Sequence, residues 1–318
     1  MKLREIYELF VAEGIKTDPR GKERIEKNLS NEKKKYDKLD KAEKQYYDTE
    51  RLTNPFADTR ILTGDENTNI KRVLVGVDME VGEVLLADRL SEKGQKIDLV
   101  LAHHPEGLAL AALDEVMSIQ SDVLALYGVP INVAEGTLAS RISEVSRGIA
   151  PVNHQRAVDA ARILGIPFMC SHTVADNMVY KFVKDIMDTK KPDTVGEVID
   201  LLLEIPEYRE GKKLGAGPRL FAGNKENRAG KVAVTEMTGG TSGAKEIFEK
   251  MSQAGIGTII GMHMGEEHRK EAEKHHLNVV IAGHMASDSL GMNLLLDEIE
   301  KKGVEIVPVS GLIRVKRK

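Results

Sequence analysis

Ile97-Asp98-Leu99-Val100-Leu101-Ala102-His103-His104-Pro105 is a largely apolar run closed by two imidazoles and a proline. A run this short and apolar reads as a buried strand, and Pro105 ends it because proline has no N–H for a ladder. The paired histidines therefore stand at a strand's carboxyl end, where open α/β sheets gather their chemistry. Two more clusters downstream share that context. Ser171-His172-Thr173-Val174-Ala175-Asp176 follows an apolar run at 166–170, and Gly283-His284-Met285-Ala286-Ser287-Asp288 follows one at 278–282. Three histidine-and-acid clusters at strand ends together predict a metal site.

Working outward, strands and helices alternate. Strands are predicted at 73–77, 97–102, 131–133, 166–170, 231–235, 258–261, 278–282 and 304–308. Helices are predicted at 81–91, 108–127, 134–147, 152–164, 178–187, 195–204, 266–276 and 289–301, and a further helix runs from the Gly239–Gly243 turn to Gln253. Alternation of this kind predicts mostly parallel sheets covered by helices. Residues 206–230 carry Pro206, Gly211, Gly215, Gly217, Pro218, Gly223 and Gly230 and read as a loop-rich joint. Leu3, Ile6, Tyr7, Phe10 and Val11 fall at helical spacing, and a Lys/Glu-rich stretch from Gly21 to Arg51 reads as an exposed helical arm. Residues 54–69 have the turn residues of a linker. The fold class is thus α/β, with two lobes, each a mostly parallel or mixed sheet covered by helices, plus an N-terminal helical arm. The expected division is 1–65 for the charged helical extension, 66–205 for the first lobe and 206–318 for the second.

Composition narrows the function classes. The chain has 318 residues, 41% of them hydrophobic, with aromatics at 4% and no Trp, so aliphatic packing dominates the core. A net charge of −4 gives no electrostatic reason to expect nucleic acid. The basic ending Arg314-Val315-Lys316-Arg317-Lys318 reads as a solvated tail. The single cysteine, Cys170, forbids an internal disulfide and fits a reducing cytoplasm. No secretion signal is read in Met1-Lys2-Leu3-Arg4-Glu5, and no uncharged apolar stretch reaches the ~18 residues of a membrane span.

Neutral imidazoles and carboxylates are ligands of zinc, iron and manganese. On a regular strand His103 and His104 would face opposite ways, but a turn at the strand's end lets neighbours address two ions. Two ions about 3.5–4 Å apart would share a water and lower its pKa. Asp176 and Asp288 are the candidate bridging carboxylates.

Leu101-Ala102-His103-His104-Pro105 resembles the T-H-H-P signature of the Ngg-interacting-factor-three-like (Nif-three-like) family, the GTP cyclohydrolase I type-two homologues, with Ala102 in place of Thr. His172-Thr173-Val174-Ala175-Asp176 is similar to that family's H-T-x-x-D element. Gly283-His284-Met285-Ala286-Ser287-Asp288 is similar to its G-H-x-x-[ST]-E element, with Asp288 one methylene shorter than the Glu of the pattern, about 1.5 Å of reach. The likeness runs from about Ile70 onward. It implies a dinuclear metal site between two α/β lobes, often in ring-shaped hexamers, with His103, His104, Asp176, His284 and Asp288 as ligands. His172 would orient Asp176 or touch substrate. Met262-His263-Met264-Gly265-Glu266-Glu267-His268 lies where the family carries a T-G-[DE]-x-x-H-H-like stretch, so His263 and Glu267 are candidates to move protons.

The sequence reading is therefore a cytoplasmic, dinuclear metal-dependent hydrolase of a small, nucleotide-like substrate. Its cofactors would be two divalent metal ions, zinc first, with iron or manganese permitted by the same donors. The partners expected are a small-molecule substrate and further copies of the chain, up to a hexamer, with no membrane and no nucleic acid. Two alternatives stay open: a non-catalytic metal-binding regulator or scaffold, and a phosphoesterase. The Met237-Thr238-Gly239-Gly240-Thr241-Ser242-Gly243 turn could seat an anion on its backbone N–H groups, or be an ordinary tight turn. Cys170 reads as a buried neighbour of the site, while His154, His275 and His276 read as structural or surface residues.

Overall fold

In the computed structural model, residues 1–317 are described, and nine strands are found among them: β1 (Thr59–Thr63), β2 (Arg72–Gly76), β3 (Leu99–Ala102), β4 (Phe168–Ser171), β5 (Arg219–Ala222), β6 (Lys231–Val234), β7 (Ile256–Gly261), β8 (Asn278–Ile281) and β9 (Glu305–Pro308). They form two mixed sheets, ordered β1-β4-β3-β2-β9 and β5-β8-β7-β6. In each, the edge pair β1/β4 or β5/β8 is antiparallel and the remaining pairs are parallel. The second sheet thus repeats the neighbour order of the first, and the strand ends that carry His103, His172, His263 and His284 occupy corresponding places in the two sheets.

Alternation along β3 explains why its sheet is covered twice. Leu99 and Leu101 pack on one face with Val73, Val75 and Met169, while Val100 and Ala102 pack on the other with Leu74, Phe168 and Cys170. All four β3 residues are buried, as a strand covered on both faces requires. The helices Val81–Glu92 and Arg156–Leu164 cover the second face through Val84, Ala87, Ala157, Val158 and Ala161.

The helices Thr173–Lys190 and His284–Glu300 start directly after β4 and β8 and tie the lobes together. Val174 and Ala175 of the first, and Leu295 and Leu296 of the second, join the first lobe's core; Val179, Tyr180, Ala286 and Leu290 join the second's. The two helices lie in close contact at Gly291, where a Cβ would stand 2.3 Å from the Ala175 carbonyl oxygen. That approach sets His172 and Asp176 beside His284 and Asp288.

Several expectations change. The helix Leu3–Thr17 buries Leu3, Ile6, Tyr7, Phe10 and Val11 against the first lobe, and β1 in the expected linker is an edge strand of the same sheet. Of the N-terminal segment, the helix Lys22–Lys38 is the charged arm, with Ile25 its one buried residue. The division at 205/206 does not follow the sheets, because β9 returns to the first sheet and the helix Ile119–Leu126 packs in the second lobe's core. Residues 131–133 begin the helix Ile131–Ile149 behind Pro130 instead of forming a strand. The expected helix at 108–127 is three short helices, Gly107–Ala111, Leu113–Val116 and Ile119–Leu126. The loop-rich joint contains the helix Pro206–Lys213 and β5. The basic ending is not simply solvated: Arg317 forms a fork on the buried Glu207 at 2.7 and 2.8 Å, and Arg314 holds Glu300 at 2.8 Å.

Candidate metal centre

The centre is built from the ends of β3, β4 and β8. Past β3 the chain stays beside β2's exit, with the His103 and His104 N–H groups donating to the Gly76 and Val77 carbonyls. The alternation expected of adjacent strand residues breaks here, and both imidazoles turn to one carboxylate. His103 Nε2 lies 3.4 Å from Asp288 Oδ1, and His104 Nε2 lies 3.5 Å from Asp288 Oδ2. Asp176, in the first turn of its helix, puts Oδ1 3.5 Å from His103 Nε2. His284 Nε2 is 3.6 Å from Asp288 Oδ2, one helical turn away.

Each of three imidazoles is anchored through Nδ1. His103 Nδ1 donates to the Ser171 carbonyl at 3.1 Å, His104 Nδ1 meets Asp78 Oδ1 at 2.7 Å, and His172 Nδ1 meets Asp58 Oδ2 at 2.8 Å. Asp58 is itself held by the Thr173 hydroxyl, which donates at 2.6 Å. An Nδ1 fixed by a carboxylate or carbonyl turns Nε2 toward the centre, the arrangement that orients metal-binding imidazoles. His172 Nε2 accordingly faces Asp176 Oδ2 at 3.7 Å. Three sets of donor atoms could each hold an ion: His103, His104 and His172; His104, His284 and Asp288; and His103, Asp176 and Asp288.

The donor set fits a cation. His103 Nε2, Asp176 Oδ1 and both Asp288 oxygens are buried with no hydrogen-bond partner. A buried polar atom without a partner costs about 1–3 kcal/mol, so four on facing side chains are a heavy cost that bound metal would relieve. The acid–base balance has the same origin. Burial pushes Asp176 well above the usual carboxylate range, with Asp288 and Asp58 adding to it. Burial acts the same way on Asp288, but His103, His284 and His104 outweigh it and hold that carboxyl down at about 2. Burial, with His103 and His172 nearby, lowers His104 to about 4, and burial also lowers His284. Burial lowers His103, but Asp288 and Asp176 together raise it more, with a net upward shift. A divalent cation at this spot would favour neutral imidazoles and ionised carboxylates.

A water-sized cavity of about 20 Å³ adjoins these groups, lined by His172, Asp176, His284 and Asp288 on one side and Glu236 and His263 on the other. His263 follows β7, sets its Nδ1 3.0 Å from the Ser242 hydroxyl, and holds its ring 4.9 Å from that of His284. Glu267 lies elsewhere. It is exposed on the helix Glu266–Lys274 and paired with Lys270 at 3.0 Å, because its position in the first turn points it to solvent. Glu236, just after β6, takes the place in the cleft expected of Glu267, and burial raises its carboxyl. Its signal was an acid at a strand end, matching Asp78 after β2. Asp58 had no such signal, since it precedes a strand read as linker. In the glycine-rich turn, Gln120 Nε2 donates to the Gly239 and Thr241 carbonyls at 2.7 and 2.6 Å and fastens the loop to the neighbouring helix. Cys170 is fully buried, and burial raises its thiol far from the thiolate range.

The fold matches a solved structure. The chain superposes on a NIF3 superfamily protein from Sphaerobacter thermophilus with a TM-score of 0.70 and 27% identity, over 80% of this chain and 92% of that one. This chain is NIF3-like. The motif resemblance and the structural match thus name the same family. More distant structures share 13–14% identity with the NIF3-like chain: reduced HcgD from Methanocaldococcus jannaschii (TM-score 0.48, 80% and 93% covered) and a Bacillus cereus protein related to NIF3 (TM-score 0.40, 79% and 89% covered). No protein-family model and no curated protein matches the sequence. Among the described residues of this NIF3-like protein, no helix is long and apolar enough to cross a membrane.

Proposed function

We propose that this NIF3-like protein is a dinuclear metal-dependent hydrolase of a small molecule. The observation that carries the reading is the convergence of four buried, unpartnered donor atoms, on His103, Asp176 and Asp288, from three strand ends. Asp288 is the shared carboxylate, one oxygen toward His103 and the other toward His104 and His284. Asp176 and His172 complete the side nearer His103, and Asp58 and Asp78 fix the rings of His172 and His104. Two bound divalent ions, zinc first and iron or manganese by the same donors, would supply a water of lowered pKa and Lewis acidity. His263, oriented by Ser242, stands where a proton could pass to or from a leaving group, with Glu236 behind it. A homo-oligomer in a reducing cytoplasm, consistent with the single buried Cys170, completes the proposal.

The test is metal content and turnover in one preparation. Protein purified without chelator should hold close to two ions per chain by plasma mass spectrometry, and His103→Ala with His104→Ala should hold none. The loaded protein should open or cleave a member of a panel of nucleotides, phosphoesters and cyclic amides. Phosphate release with an intact ring would identify a phosphoesterase. Ions without any turnover would leave a metal-binding regulator, and an ion count near zero in the wild type would overturn the reading.

A further inference from the structure

Outside the donor cluster a second cavity, about 320 Å³, opens on the far side of His284. That is the size at which small-molecule sites begin. Its wall is β5, the antiparallel edge strand. Leu220 packs on the core, while Arg219 and Phe221, on either side of it and beside a bulge in the register between Leu220 and Ala222, are exposed and line the groove. Phe221 is 36% exposed, and Met262, Met264 and Ile281 extend its apolar surface. Arg219 stands opposite Ile281 in the sheet, three residues before His284. Its guanidinium donates to the Gly215 carbonyl, and no carboxylate among the described residues lies within 4.0 Å of it or lines the groove. The groove's floor is fixed by Gly283, at φ +111°, where a Cβ would stand 2.2 Å from the Ala216 carbonyl oxygen.

We infer that this groove binds a flat aromatic or heteroaromatic ring carrying an anionic group on a short spacer. The ring lies on Phe221 between the methionines, and the anion, carboxylate or phosphate, meets Arg219. Arg219 and Phe221 lie two positions apart, at most roughly 6.6 Å along the strand, and the irregular register between Leu220 and Ala222 keeps them no farther, so the spacer between ring and charge is short. Uncompensated positive charge at one end and an exposed aromatic face at the other select for both features at once. The groove ends at His284 and His263, so the ligand's free edge faces the proposed metal centre. In that last respect the inference rests on the hydrolase reading and supplies its substrate class.

The chain has no Trp, so the fluorescence of an indole probe is read without tryptophan background. Indole-3-propionate, indole and propionate are titrated into the full-length protein, metal-loaded and metal-stripped, with adenosine monophosphate as competitor. Indole-3-propionate should bind saturably and more tightly than either half. Phe221→Ala should weaken it about tenfold, in line with the loss of one stacking face, and Phe221→Leu should weaken it less. Arg219→Gln should weaken indole-3-propionate at least fivefold and leave indole unchanged. Competition by adenosine monophosphate would show that the groove also accepts a phosphate as the anion. Absence of saturable binding, or equal binding by wild type and both Phe221 and Arg219 variants, would overturn the inference. So would a change of sedimentation in Phe221→Ala, which would mark the face as a contact between copies. Metal content is measured on the same samples. Saturable binding by a protein that takes up no metal on loading leaves the groove standing and the hydrolase reading fallen, and a protein that takes up metal but binds no probe leaves the metal centre standing and the groove fallen.

Discussion

Substituting Asp288 by Asn separates a metal centre from a merely polar cluster. Asp288 is fully buried, and neither of its oxygens has a hydrogen-bond partner, although three imidazoles face them. If two ions bind here, each present at a hundred times its Kd stabilises the fold by about 2.7 kcal/mol. A chain of 318 residues at roughly 2.1 cal/mol/K each unfolds with an entropy near 0.7 kcal/mol/K, so each ion raises Tm by about 4 °C and the pair by about 8 °C. Asn keeps the shape but loses the charge that both ions share, so the metal-dependent rise should fall below about 2 °C. Without metal the variant should also lose stability, because Asn removes the carboxylate that His103, His284 and His104 hold ionised, so the stripped variant should melt below the stripped wild type. The assay is thermal unfolding after chelation, with and without added zinc, for wild type and variant. An Asp288→Asn protein that keeps the full zinc-dependent rise would refute the shared-carboxylate geometry.

Three further outcomes are expected. Arg317→Ala strands the buried Glu207 carboxylate, which then keeps only the Asn293 amide at 2.8 Å, and should cost about 3–5 kcal/mol in chemical denaturation; a loss under 1 kcal/mol would mean the C-terminal clasp is ornamental. Gly291→Ala drives a methyl group into the Ala175 carbonyl, so it should cost about 1–3 kcal/mol and lower metal retention as the helices part; unchanged zinc content would break that link. Glu106, half-buried near Glu80 and Asp78, has its carboxyl raised by burial to about 7. A raised folded-state value means its favourable contribution is full below about pH 4.3 and is lost as pH rises through 7, so Glu106→Gln should gain stability over wild type at pH 8 and not at pH 4, as measured by Tm at both.

Much of the centre could be read before folding because its donors sit next to strong local signals. Apolar runs stopped by Pro105, or by the Gly283 turn, announce strand ends, and His103, His104, Asp176, His284 and Asp288 lie within a few residues of them. The i to i+4 spacing of His172 with Asp176 and of His284 with Asp288 needs only a helix to bring each pair together. Glu267 misled because a helix's first turn has a solvent side as well as a cleft side, and residue type does not say which. Glu236 and Asp58 act across 27 and 114 positions of chain, on His263 and His172 respectively, and no local pattern encodes such a distance.

The alternation of apolar runs and amphipathic segments was enough to specify two α/β lobes, since burial of one face per element is a local property of side-chain spacing. The partition between lobes was not, because β9 could add to either sheet and its choice depends on which edge offers unpaired backbone groups. The same holds for the candidate metal centre. Which histidine nitrogen faces inward is set by Ser171, Asp78 and Asp58, partners that meet the imidazoles only once β1, β4, β3 and β2 pair into one sheet.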